Sequence, residues 1–172
     1  MLFFPIFLSV LMIIAFITDA TRYIIPNWLN ALVIVLYIVF VPLTPGKVDW
    51  LSGIYAFLIV FLCSYPLFYF RICGGGDVKL LCTLSLWCGL HEVLLEFIVY
   101  TGLLGGALSL LLISLRPFVA WLRARLNHEF PVPKLLTYGQ DIPYGLAITT
   151  AFLMVLWAGA IPGIPIRLHS LL

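Results

Sequence analysis

The chain has 172 residues, of which 64% are hydrophobic and 9% charged, with a mean hydropathy of +1.19. A water-soluble domain carries about 25% charge, so this composition excludes a soluble enzyme, a nucleic-acid module, a disordered tail and a disulfide-stapled secreted domain. The net charge of +2 argues for no acidic partner. An all-α, polytopic integral membrane protein is expected, a single transmembrane domain over residues 1–172 with no soluble domain, surrounded by the lipid bilayer.

In chain order, charge-free runs occur at Leu2–Thr18, Trp28–Gly46 and Leu51–Phe70. A shorter one follows at Leu80–Leu90, then Val93–Leu115, interrupted only by Glu96, then Pro143–Ile166. The first run has no Lys or Arg before Arg22 and so lacks the basic start of a signal peptide. It is expected to be a first transmembrane helix. The fourth is short: Val78 to Leu90 rises about 20 Å as a helix, against a hydrocarbon core of about 30 Å.

Basic residues decide the crossing count. With six spans and both termini outside, Arg22, Arg71, Lys79, Arg116, Arg123, Arg125 and Lys134 lie inside, while Lys47 and Arg167 lie outside. A fourth run that failed to cross would reverse most of that asymmetry, so the positive-inside rule favours about six transmembrane helices with the fourth short. After the fifth span, Phe118, Leu122, Leu126 and Phe130 recur every four residues, which predicts a short helix lying in the membrane interface and ended by Pro131 and Pro133. Gly102 and Gly106 form GxxxG beside Gly105, a spacing that predicts close helix packing, within the bundle or between copies in a homo-oligomer.

The four cysteines, Cys63, Cys73, Cys82 and Cys88, have intervals of 10, 9 and 6 residues, with no CxxC. Packing roles are expected of them, and no metal site. His91-Glu92-Val93-Leu94-Leu95 falls short of HExxH, because a leucine stands where the second histidine must be.

Of the seven acids, two stand out. Asp19 closes the first span, in ITDATRYIIPNWLN, and Asp77 ends the run Gly74-Gly75-Gly76-Asp77 before VKLL. Glycines permit positive φ and close backbone approach. The plainer reading makes Asp77 the N-cap of the fourth helix. Two spans separate the aspartates, so both lie on the same face, the inner one. Two carboxylates a few ångströms apart do not both ionise comfortably, which suits an acid–base dyad. Lys79 and Arg71 flank the glycine turn, where they anchor at headgroup level or, for Lys79, act on Asp77.

Asp19 with Ile25-Pro26-Asn27, then Gly74-Gly75-Gly76-Asp77-Val78-Lys79-Leu80, resembles the type IV prepilin peptidase family, the GxGD membrane aspartic proteases. A third stretch, Asp141-Ile142-Pro143-Tyr144-Gly145, is similar to the motif that opens that family's last helix. The resemblance implies that Asp19 and Asp77 are the catalytic pair, with Gly74, Gly76, Lys79 and Asp141 in supporting positions. It implies an endopeptidase that removes the short leader of a pilin-like precursor at the cytoplasmic face of a bacterial inner membrane. Long members carry a cytosolic insertion with paired CxxC zinc ligands and an N-methylation activity. Here eight residues, Ala20 to Asn27, fill that loop. The chain therefore resembles the short, peptidase-only members of Tad/Flp-type pilus systems. No cofactor, no metal, no methyltransferase activity and no nucleic-acid partner are expected. The alternative is a small transport or structural subunit whose inner acids are a proton relay or mere caps.

Overall fold

The computed structural model describes residues 3–71, 73–126, 136 and 142–164. Among these residues there are six helices: α1 (Phe3–Arg22), α2 (Asn27–Leu43), α3 (Trp50–Tyr69), α4 (Gly75–Cys88), α5 (Glu92–Leu126) and α6 (Tyr144–Trp157). No strand occurs among the described residues. The protein is an all-α membrane protein. By length and composition α1, α3 and residues Glu92–Leu122 of α5 suffice to cross a bilayer, while α2 and α6 are apolar but shorter.

The helices are apolar on both faces, so periodicity alone does not show which side packs. In α1 the buried stripe runs Phe4, Leu8, Leu11, Met12, Ala15 and Asp19, whereas Ile6, Val10, Ile13 and Ile17 are exposed. That exposed, equally greasy face suits lipid. α4 is the axle of the bundle. It packs against α2, α3, α5 and α6, and Val78, Leu80, Cys82, Leu84, Leu86, Trp87 and Cys88 are all buried. Its 14 residues therefore sit among protein rather than lipid, where a short helix is tolerated.

Polar pairs pin the axle. Trp87 Nε1 donates to the Val33 carbonyl at 3.3 Å, and the Thr83 hydroxyl donates to Asn30 at 3.4 Å. Trp157 Nε1 donates to Ser9 Oγ at 3.0 Å, joining the last helix to the first. Asp49 caps α3, its Oδ1 accepting from the Leu51 and Ser52 amides at 3.1 and 3.3 Å. Asp49→Ala is expected to lower unfolding stability by about 1 kcal/mol, read as a lower denaturation midpoint in detergent micelles.

One expectation is corrected. The segment from Arg116 is not a separate interfacial helix: α5 runs unbroken for 35 residues, through Pro117, to Leu126. A proline deletes only its own N–H donor and bends rather than always stops a helix. Beyond it, Phe118 stacks on Trp121 with ring centroids 6.2 Å apart, and the Arg125 guanidinium lies 5.1 Å from the Trp121 ring centroid. These i,i+3 and i,i+4 contacts favour the helical register. Pro131 and Pro133, expected to end the segment, lie outside the described residues.

Candidate functional site

Asp19 continues the buried stripe of α1 one turn beyond Ala15, and it is only 3% exposed. The helix ends three residues later. Tyr23 adopts a left-handed φ of 55° and its N–H donates back to the Asp19 carbonyl at 3.0 Å. A non-glycine residue there is uncommon and costs energy. The turn sends the chain through Ile25, which is buried, to Pro26, the N-cap of α2.

Asp77 is not the N-cap of α4. That position is Gly74, with φ −68° and no side-chain cap, and Asp77 sits in the first turn. The Asp77 carboxylate accepts from the Gly74 amide, the reach-back that an acid at the third helical position makes to its cap residue. The glycines serve close approach, not positive φ. A Cβ at Gly74 would stand 2.9 Å from Asp77 Oδ2, one at Gly75 3.1 Å from the Phe68 ring, and one at Gly76 3.4 Å from Ile25. The left-handed residue of this turn is instead Arg71, φ 57°.

The two carboxylates share one site. Asp19 and Asp77 interact electrostatically, and both line two cavities of about 560 and 320 Å³. Both cavities are large and polar enough to hold water. Between the carboxylates comes the start of α6. The Gly145 N–H donates to both aspartates, and the Leu146 N–H adds to Asp19. The Leu146 N–H is shared with the Pro143 carbonyl, 3.4 Å away, and the helix dipole favours negative charge at this end. Asp19 Oδ2 is nevertheless buried with no hydrogen-bond partner among the described residues. A buried acceptor without a partner is costly, and it is the kind of atom that awaits a proton or a substrate group.

The predicted residues Gly74, Gly76 and Lys79 join Asp19 and Asp77 around the smaller cavity. Lys79 Nζ donates to Asn27 Oδ1 at 3.1 Å, tying α4 to the start of α2. Asp141 lies outside the described residues. His91 and Glu92 follow the far end of α4, which is about 20 Å long, and so stand well away from Asp77. The four cysteines are free thiols.

Gly145, Tyr144, Cys73 and Arg116 were not singled out from sequence as site residues, yet all border the carboxylates. For Gly145 a signal existed: a glycine two residues after a proline, just inside a helix start, where helix propensity disfavours it.

Comparison with curated proteins and with solved structures gives no match. A family model, the type IV leader peptidase family, matches residues 6–110. The match takes in α1 to α4 and the first half of α5, hence both aspartates and the glycine turn, and it ends before α6. With well over half of its length matched by that model, an all-helical apolar fold and two aspartates brought together within the matched segment, the chain belongs to the type IV leader peptidase family.

Proposed function

We propose that the protein is a membrane aspartic endopeptidase that removes the short leader of type IV pilin-like precursors at the cytoplasmic face. Membership of a leader peptidase family makes it a protease. The observation that carries the finer reading is the convergence of Asp19 from α1 and Asp77 from α4 on the shared Gly145 amide, beside water-sized cavities.

In this reading one carboxylate is ionised and the other carries a proton. The ionised group takes a proton from water as the water oxygen adds to the scissile carbonyl carbon, and the protonated group gives its proton to the carbonyl oxygen. The tetrahedral species then collapses. The C–N bond breaks, the nitrogen takes a proton from the pair, a diol proton returns to the pair, and a leader carboxylic acid, which ionises in water, and a new N-terminal amine leave. The two titrations belong to the pair, not to either residue.

The short Ala20–Asn27 connection and the absence of CxxC from the sequence support a peptidase without methylating activity and without a cofactor. The seven-to-two distribution of basic residues supports the cytoplasmic side and a bacterial inner membrane. The test is direct. Membranes containing the protein are mixed with a pilin-like precursor, and its size is followed on a gel, with N-terminal sequencing of the product. Leader loss is expected; an intact precursor returns the protein to a transport or structural role.

A further inference from the structure

The GxxxG face of α5 is unused among the described residues. A Cβ built on Gly102 or Gly106 meets no atom within 4 Å. Gly105, by contrast, is taken up by packing: its Cβ would stand 3.4 Å from the Tyr144 ring and 3.7 Å from Ala147. So α5 uses one glycine against α6 and leaves two facing open space. That space is an apolar groove of about 240 Å³ walled by Ser64 and Leu67 of α3, Leu81 of α4, and Ile98, Gly102 and Gly106 of α5. Two further features bear on what fills it. Thr101 Oγ1 on the same wall is shielded from solvent but has no hydrogen-bond partner among the described residues. And Asp77, Cys73 and Tyr144 line both this groove and the larger polar cavity that holds Asp19.

We infer that this groove seats the apolar transmembrane helix of the precursor, which Gly102 and Gly106 allow to lie close against α5, and whose cytoplasmic end is thereby delivered to Asp77. The inference rests on the leader-peptidase reading above and adds where the substrate docks. Continuity chooses the occupant. A groove that is apolar along its length and ends at a carboxylate of the hydrolytic pair fits a chain that is apolar up to the scissile bond and polar beyond it. The polar side continues in the larger cavity, beside Arg71 and Arg116. Without an occupant, glycines facing lipid cost helix stability and gain no contact. Close backbone approach is what small residues provide between membrane helices.

The experiment places a photo-reactive side chain at Ile98, on the groove, or at Leu103, which is 65% exposed and off the groove. Each is illuminated in membranes with a pilin-like precursor bearing its leader and apolar helix. An adduct of enzyme plus precursor from position 98, and none from 103, is expected. Gly106→Leu should erase that adduct and raise the KM for the precursor about ten-fold or more with kcat little changed, the mark of lost ground-state docking. An adduct of twice the enzyme's mass would make a second copy the occupant and overturn the inference, as would lipid adducts alone, equal capture from both positions, or an adduct that survives Gly106→Leu. Capture does not depend on cleavage. A precursor seated but never cut would count against the peptidase reading and not against the groove.

Discussion

Replacing Asp77 by asparagine is expected to slow precursor cleavage by about 10²–10⁴-fold, the range of general acid–base catalysis, and Asp19→Asn to do the same. Asparagine keeps the size and most of the hydrogen bonding of aspartate, so the Gly74 and Gly145 amides that meet these side chains retain an oxygen to donate to. What asparagine does not do is exchange a proton. Either substitution leaves a single titrating carboxylate, which cannot both accept the water's proton and supply one to the carbonyl oxygen in the same step. Residues that act as a unit give non-additive losses, so the double variant should be little slower than the singles. A time course of leader removal at matched protein level in the membrane checks this. Undiminished cleavage in both single variants would remove the dyad from the mechanism.

The second large effect is expected at a residue without a side chain. Gly145→Ala should lower kcat by about 10²-fold, the scale of a ~1 Å misplacement of a reacting group. An added Cβ would stand 2.6 Å from Asp19 Oδ2, 2.8 Å from Asp19 Cγ and 2.9 Å from Ile25 Cδ1. None of those distances is tolerable; Ile25 is buried, and the Asp19 carboxylate, which borders open cavities, is the neighbour with room to give. The carboxylate must turn, or α6 must back away and take its two amides with it. Overpacking of this kind costs about 1–3 kcal/mol of stability. Unfolding in detergent alongside the kinetics separates the two losses. A folded protein with near-normal KM and depressed kcat marks a displaced carboxylate; an unchanged kcat would show that α6 does not set the position of Asp19.

Much of the framework was legible in sequence because lipid imposes a simple rule on composition. Four of the six apolar runs end within four residues of a helix end, and the two aspartates could be picked out because charge is so scarce in the chain. What was not legible follows from one fact: in a bundle that is apolar on every face, hydrophobicity does not say which residues touch. The triple glycine pointed to positive φ and to close approach; the close approach is there, with room made for Asp77, Phe68 and Ile25, while the positive φ beside this turn belongs to Arg71. Asp77 as a helix cap was a sound local reading, displaced because its carboxylate reaches back to the true cap, Gly74, and across to Gly145. The expected interfacial helix failed because the charge-free run stops at Leu115, while α5 continues past Arg116 to Leu126. Gly102 and Gly106 pointed to packing, and only coordinates show that Gly105 alone serves it within the chain.

The site draws Asp19 from the first helix, Asp77 from the fourth and two amides from the sixth, and the Trp157–Ser9 hydrogen bond closes the ring between first and last. This gives the enzyme a built-in delay during its own synthesis. At about 5–20 residues per second, Asp19 enters the membrane on the order of ten seconds before Gly145 is made. Through that interval the nascent chain holds its acids without the helix that aligns them, in a membrane crowded with other newly inserted hydrophobic segments. On the proposed dyad, proteolytic competence arrives only with the final helix, and a chain that ends before it is expected to be an inert bundle rather than an unregulated protease.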